Sequence, residues 1–242
     1  MKAIILAAGR GTRISRHIDG KPKCTVPLGD GSTLIEYSVE LLKCKGITSI
    51  VLVLGYRAPV IIDLLGRSGV DFRTNPFFDV TNSISSLWFA RDEFEKGSDD
   101  RYLLMNGDVY LSEQALDFVL AERASPVLFY DKTRREEADY RFSCVGDRLI
   151  KYGKELSVEE TTGEYIGCAS FDADFAAHFV ERMCTLVETQ QHSLWWENVL
   201  YSMSDERPIV ARDIQGAFWA EVDYVEDYER ILDYHSHRPD RC

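Results

Sequence analysis

The residues best suited to chemistry gather first near the start of the chain. Leu6-Ala7-Ala8-Gly9-Arg10-Gly11-Thr12-Arg13 is a small-residue run with two arginines, and Lys21-Pro22-Lys23 follows it. Backbone N–H groups in such a loop can cradle phosphates. Arg13 and Lys23 would add positive charge to a triphosphate, Lys23 nearer its α-phosphate. Arg10, Arg16 and Lys21 suit solvated loop positions equally well. Two distant acids complete the set. Asp108 closes Asn106-Gly107-Asp108, and Asp223 closes Trp219-Ala220-Glu221-Val222-Asp223, each just past an apolar stretch. Such carboxylates hold Mg²⁺, which prefers oxygen ligands and leaves room for phosphate oxygens and water. Together these groups fit nucleotidyl transfer, in which an acceptor phosphate attacks the α-phosphorus and pyrophosphate leaves. That acceptor is already largely dianionic near neutral pH, its second pKa being ~6. No general base is strictly required, so the residues must supply position and charge neutralisation.

Each feature also has a plainer use. A strand-end Asp is often a turn former or helix cap, and Asp223 would cap a helix starting near Glu226. The two acids together with the loop favour the metal. Glu221 ranks as a third candidate ligand. Asn82, in the polar Thr81-Asn82-Ser83 stretch, suits a helix cap and a base-reading group equally. Two other glycine motifs are excluded. No G-x-x-x-x-G-K-[ST] run exists, and Gly9-x-Gly11 is followed by Ile14 where a dinucleotide fingerprint needs a third glycine.

Composition narrows the class further. At 242 residues with a formal charge of −12, the chain can bury a full core but lacks the basic surface that nucleic acid requires. The 6 cysteines are scattered without a C-x-x-C pair, as expected of reduced thiols. No apolar run reaches membrane-spanning length, and the N-terminus enters a strand instead of a signal peptide. A cytoplasmic enzyme with no membrane partner is the expectation.

The elements that must position these groups alternate. Strands are expected at 3–6, 49–54, 70–73, 101–105 and 126–130, with helices from Thr33 to Lys45, from Pro59 to Leu65, from Ile84 to Glu93 and from Ser112 to Arg123. This predicts an α/β fold with a doubly wound, mostly parallel, Rossmann-like sheet that carries ligands at the strands' carboxyl edge. The second half changes texture. A hairpin is expected over 142–152, strands at 164–171, 209–213 and 218–222, and helices at 174–188, 194–203 and 226–235. One domain covers 1–242, with residues 1–130 as its nucleotide-binding part and 131–242 as a small β-rich, acceptor-binding part.

The motif L-A-A-G-x-G-T-R, then Pro22-Lys23, then Pro27-Leu28 and Leu34-Ile35-Glu36-Tyr37, resembles the sugar-phosphate and alcohol-phosphate nucleotidyltransferases. With Asn75-Pro76, Asn82, Ser86-Leu87, Asp108, Glu164-Tyr165-Ile166-Gly167, Trp196-Glu197-Asn198 and Trp219 through Asp227, it looks like the bacterial CTP:phosphocholine and 2-aminoethylphosphonate cytidylyltransferase group. The resemblance covers most of the chain, is dense up to Asp108, and is thin between Tyr110 and Glu160. It implies CTP as donor, Mg²⁺ as cofactor with Asp108 and Asp223 as ligands, and a CDP-linked product. Leu6, Ala7, Ala8, Gly9, Gly11, Thr12, Arg13, Lys23, Asn82 and Ser86 become the nucleotide-binding set, with Lys23, Arg13 and Asp108 catalytic. A homodimer is compatible with it.

The acceptor would be a small phosphate or phosphonate with an ammonium group. A trimethylammonium head prefers aromatic faces, whereas a primary ammonium needs carboxylates and carbonyls for its three donors. Glu164, Tyr165, Trp196, Glu197, Trp219, Glu221 and Lys154 are the acceptor-side candidates. Tyr140 is the residue available where phosphocholine enzymes carry a mid-chain aromatic. Arg141 and Lys151 are further cations for its phosphate, although hairpin surface charges are the default. Trp195 and Trp196, adjacent on one expected helix, cannot both face one pocket. The competing functions are a nucleoside-diphosphate-sugar pyrophosphorylase and a silent nucleotide-binding subunit. The second would be expected to lack one of Arg13, Lys23, Asp108 and Asp223, all of which are present.

Overall fold

A computed structural model describes residues 1–11, 20–94 and 100–238. The first half builds the expected parallel frame. β1 (Lys2–Ala7) lies between β2 (Ser49–Leu54) and β4 (Arg101–Asn106), and β3 (Asp71–Thr74) flanks β2. Every residue of β1 is buried, as a parallel strand covered on both faces requires. Ala3, Ile5 and Ala7 feed one core while Ile4 and Leu6 feed the other. Over the first face pack α1 (Leu34–Cys44), α2 (Ala58–Leu65), α4 (Glu113–Ala121) and α7 (Val225–His237). Over the second pack α3 (Ser83–Trp88), α5 (Ala173–Glu188) and α6 (Glu197–Tyr201). The α/β, doubly wound architecture is therefore present.

Local signals explain most boundaries. Thr33 and Glu36 form the capping box that starts α1, and Ser112 caps α4 by accepting the Ala115 N–H. The helix expected to run to Glu93 instead breaks after Trp88. Glu93 turns inward, where it takes Lys2 Nζ at 3.2 Å and pairs with Arg73. The helix expected from Leu194 starts only at Glu197. The residues before it are spent on the start of α3: Ile84 N–H donates to the Leu194 carbonyl at 3.2 Å and Trp196 N–H to Ser83 Oγ at 2.9 Å.

The second half makes the sheet mixed. β9 (Gly163–Asp172) runs antiparallel to both β4 and β6 (Val127–Asp131), and β10 (Val210–Asp213) returns parallel to β6. β8 (Arg148–Gly153) follows, then its hairpin partner β7 (Arg141–Val145), which curls round to pair again with the start of β9. This curl is the β-rich portion, and one continuous nine-stranded sheet joins it to the parallel frame. A short pair, β5 (Val109–Leu111) against β11 (Trp219–Glu221), stands apart from that sheet. No helix among the described residues is long and apolar enough to cross a membrane.

Candidate active site

The site grows from the carboxyl edge of β1 and β4. Leu6 lies level with Asn106, and the Gly107 N–H donates to the Leu6 carbonyl at 2.8 Å. A Cβ on Gly107 would sit 2.9 Å from that oxygen, so only glycine lets the two strand exits run this close. Asp108 emerges directly beside the small-residue loop. β5 then leads away, paired to β11 with Val109 opposite Glu221, and the Val222 N–H donates to the Asp108 carbonyl at 2.9 Å. Acids far apart in the sequence are thereby fixed at one edge.

A strand places residues i and i+2 on one face, so Glu221 and Asp223 share a side. The Asp223 N–H donates to the Glu221 carbonyl at 2.9 Å, a three-residue turn that ends the pleat and doubles the chain back. Carboxylate oxygens of Asp108, Glu221 and Asp223 consequently lie within 4.8 Å of one another.

Lys23 completes the cluster from the other side. It opens a single 3₁₀ turn after Pro22, and its Nζ lies 3.3 Å from Asp108 Oδ2 and hydrogen-bonds Asp223 Oδ1. Its aliphatic stem fills the space over Gly11. Gly11 has φ of 62°, and a Cβ there would sit 2.1 Å from Lys23 Cγ. Both facts require glycine. Burial works against the lysine's charge, but Asp108, Asp223 and Glu221 outweigh it and hold Lys23 above its ordinary pKa. The Glu221 carboxyl is pushed well above the carboxylate range, by burial first and then by the charges of Asp108 and Asp223. Such a group of acids calls for cations.

These groups form one wall of a cavity of about 360 Å³. The lining takes in Leu6, Ala7, Ala8, Gly9 and Gly11, with Asn82, Ser83 and Ser86 from the start of α3. Asn82 does act as the helix cap, its Oδ1 accepting the Ser83 N–H at 2.8 Å, while also lining the cavity. Tyr140, Tyr165, Trp195, Glu197, Asp139 and Lys154 line it as well. Tyr140 stands edge-on to both Tyr165 and Trp195, with centroids 6.0 and 5.5 Å away. Glu197 is 6% exposed, and burial pushes its carboxyl up to about 7, helped by the nearby charge of Asp108 and opposed by its polar neighbours Tyr165 and Asn106.

Several expected acceptor-side residues lie elsewhere. Trp196 is wholly buried and does not line the cavity; its indole N–H donates to Asn106 Oδ1 at 2.9 Å. Trp219 likewise donates to Asp131 Oδ2 at 3.1 Å. Glu164 accepts from Arg134 Nε at 2.6 Å and the Asp139 N–H at 2.7 Å, so it fixes the Asp139 loop without reaching the cavity. Glu164 and Trp219 border a smaller neighbouring hollow. Arg141 is occupied by the carbonyls of Ala138, Leu156 and Glu136, and Lys151 by Glu160. Lys154 does line the cavity, paired with Asp139 at 2.6 Å. Thr12, Arg13 and Arg16 fall outside the described residues. Sequence reasoning missed Asn106 and Asp139. Asn106 carried a signal as a polar residue at a strand exit, whereas nothing local marks Asp139.

Comparisons with known proteins identify the family. A model of the MobA-like NTP transferase domain family matches residues 3–201. A choline-phosphate cytidylyltransferase of Streptococcus pneumoniae is 26% identical over 242 residues, covering 96% of this chain and 96% of that one. The solved CTP:phosphocholine cytidylyltransferase from the same species superposes with a TM-score of 0.71 and 26% identity, over 96% of this chain and 97% of that one. The inositol-1-phosphate CTP transferase of T. maritima shares the fold, with a TM-score of 0.76 and 20% identity over 100% and 98%. The matched span takes in the small-residue loop, Lys23, Asp108 and Glu197, and the chain belongs to the MobA-like NTP transferase domain family as a nucleotidyltransferase.

Proposed function

We propose that the protein is a Mg²⁺-dependent cytidylyltransferase, acting in the cytoplasm, that moves CMP from CTP to a small phosphorylated or phosphonate amino-alcohol. The observation that carries this is one cavity with two unlike sets of lining residues. One is the small-residue loop with Lys23 and the acid cluster, and the other is the aromatic group Tyr140, Tyr165 and Trp195 with the buried carboxylate of Glu197. The donor set is carboxylate oxygen throughout, which suits Mg²⁺ rather than zinc. Asp108 and Asp223 would hold the ion, with Glu221 as third acid. When bound, it would neutralise charge on the triphosphate.

The remaining work falls to the chain. The loop from Leu6 to Gly11 receives the nucleotide, Asn82 and Ser86 flank its base, and Lys23 binds an α-phosphate oxygen. An acceptor oxygen forms its bond to the α-phosphorus as the bond to pyrophosphate breaks. Tyr140, Tyr165 and Trp195 give an ammonium head cation–π faces, and Glu197 gives it a counter-charge. Lys154 is placed to turn from Asp139 to the acceptor's phosphate. Such a head fits phosphocholine or 2-aminoethylphosphonate better than a sugar hydroxyl array.

Pyrophosphate release should be measured with each of CTP, UTP, GTP and ATP against phosphocholine, phosphoethanolamine, 2-aminoethylphosphonate and glucose 1-phosphate. CTP with an amino-alcohol acceptor is the expected pair. Preferred turnover of a hexose phosphate with another nucleotide would overturn the proposal.

Glu197 adds a pH signature. Its carboxyl titrates at about 7, and only the ionised form attracts an ammonium head. Acceptor affinity should therefore strengthen as pH rises through that value. Glu197→Gln should raise the acceptor KM about tenfold with little change in the CTP KM. It should also erase the transition near 7 while leaving the acceptor phosphate's own titration at ~6. An unchanged acceptor KM would remove Glu197 from the head-group site.

A further inference from the structure

The site's charged groups sit on segments that are far apart in sequence, and a buried imidazole joins those segments. His235, on the last turns of α7, is 4% exposed. Its Nδ1 lies 3.1 Å from the Tyr110 hydroxyl and its Nε2 lies 3.0 Å from Asp30 Oδ2. Tyr110 belongs to β5, two residues past Asp108. Asp30 belongs to the loop that leaves Lys23 and enters α1. α7 itself begins two residues past Asp223. One side chain thus bridges the segments that carry the lysine and all three acids.

The surroundings make this connection stiff. Tyr37 stacks on Tyr110 with centroids 4.5 Å apart, and both rings meet His235 edge-on. Tyr37 also donates to the Leu111 carbonyl at 2.9 Å, which ties α1 to β5. Phe218, just before β11, stacks on Tyr234 of α7 at 4.0 Å. Arg238 donates to Asp30 at 3.3 Å, so Asp30 is held by two groups of the C-terminal segment. A second tie lies one face-repeat earlier on the helix, where Tyr228 donates to the Pro27 carbonyl at 2.6 Å. α7 is therefore pinned along the loop between Lys23 and α1 at two separated points.

We propose that the His235–Asp30 contact is a latch by which α7 sets the spacing between Lys23 and the Asp108–Glu221–Asp223 carboxylates, making His235 a positioning residue for the metal–triphosphate site. This rests on the proposed metal-dependent transfer. Without the latch, α7 keeps its Tyr228–Pro27 bond to the loop but loses the buried contact that fixes the spacing at its far end. The acids then no longer face the lysine at a fixed distance, and an ion that needs near-ideal octahedral geometry binds more weakly. Supporting residues of a metal site typically change affinity by 10–100-fold, and His235 acts from a distance, so the lower end applies.

The test uses the full chain with CTP and Mn²⁺ as a paramagnetic stand-in for Mg²⁺, counting free Mn²⁺ by electron paramagnetic resonance. His235→Ala and Asp30→Ala should each weaken Mn²⁺ binding about tenfold. Each single variant also loses a private contact, Arg238 for Asp30 and Tyr110 for His235, so the double variant should lose less than the product of the two single losses, because the shared contact is counted once. His235→Gln, which keeps a donor toward Asp30, should recover part of the loss. Phe179→Leu, a core change in α5 on the other face, should lower the melting temperature without moving Mn²⁺ affinity. Normal Mn²⁺ affinity in both alanine variants would overturn the latch alone. Failure of the unmodified protein to bind Mn²⁺ with CTP would overturn the latch and the metal-dependent function together. A loss in Phe179→Leu equal to that in His235→Ala would reduce the latch to general stability and overturn it too.

Discussion

Asp108→Asn should lower kcat/KM for CTP about a thousandfold while leaving the fold intact. The substitution is isosteric, and the backbone bond from the Val222 N–H to the Asp108 carbonyl does not depend on the side chain. What disappears is a charge that the site uses twice. In the nucleotide-free protein the carboxylate faces Lys23 Nζ at 3.3 Å, and in the working enzyme it is one of two acids proposed to hold the metal. Removing a charge-stabilising group from a transfer centre typically costs 10²–10³-fold, and loss of the ion adds to that. The discriminating measurement is pyrophosphate release across a wide Mg²⁺ range. A variant that has lost a ligand should regain part of its rate at high Mg²⁺. Activity within tenfold of the unmodified enzyme at ordinary Mg²⁺ would exclude Asp108 from the centre.

How much of this was visible in the chain depends on how local the governing interaction is. β1 and β2 announce themselves as short β-branched runs, and α1 by a Thr33–Glu36 capping box that the structure forms as written. The small-residue loop and Asp108 were legible together because both follow buried strands, and parallel neighbours must exit at one edge. Glu221 was legible only as a third candidate. It shares Asp223's side of the strand, but the turn that closes the group, in which the Asp223 N–H donates to the Glu221 carbonyl, carries no local signal. Trp196 and Trp219 were misplaced for a different reason. An indole N–H needs a partner when buried, and each finds one inside the protein, in Asn106 and Asp131, that no spacing rule reveals. The mixed half of the sheet depends on β9 inserting antiparallel between β4 and β6. Hydrophobic patterning shows that strand clearly but says nothing of its neighbours. β5, three residues long, is specified mainly by its pairing with β11.

Lys23→Met should produce two separable losses, one in catalysis and one in the resting protein. Methionine keeps the aliphatic stem that fills the space over Gly11, so packing is nearly unchanged and the charge alone is removed. Turnover should fall about a thousandfold, because the developing charge on the α-phosphate loses its fixed cation. The second loss concerns the acids. Asp108, Glu221 and Asp223 crowd one another within 4.8 Å, and Lys23 pairs with both Asp108 and Asp223. Breaking a buried pair by deleting one partner costs roughly 3–5 kcal/mol. These side chains are 13–24% exposed, which reduces the expected cost to about 2 kcal/mol. For a chain of this length that corresponds to a fall of roughly 4–8 °C in Tm in the presence of EDTA. Mg²⁺ should close most of that gap, because a divalent cation replaces the missing positive charge among the same oxygens. Melting curves with EDTA and with Mg²⁺ therefore test the electrostatics independently of catalysis. Unaltered stability in EDTA would mean that the lysine does not balance the acids. Near-normal turnover would mean that it does not bind the phosphate.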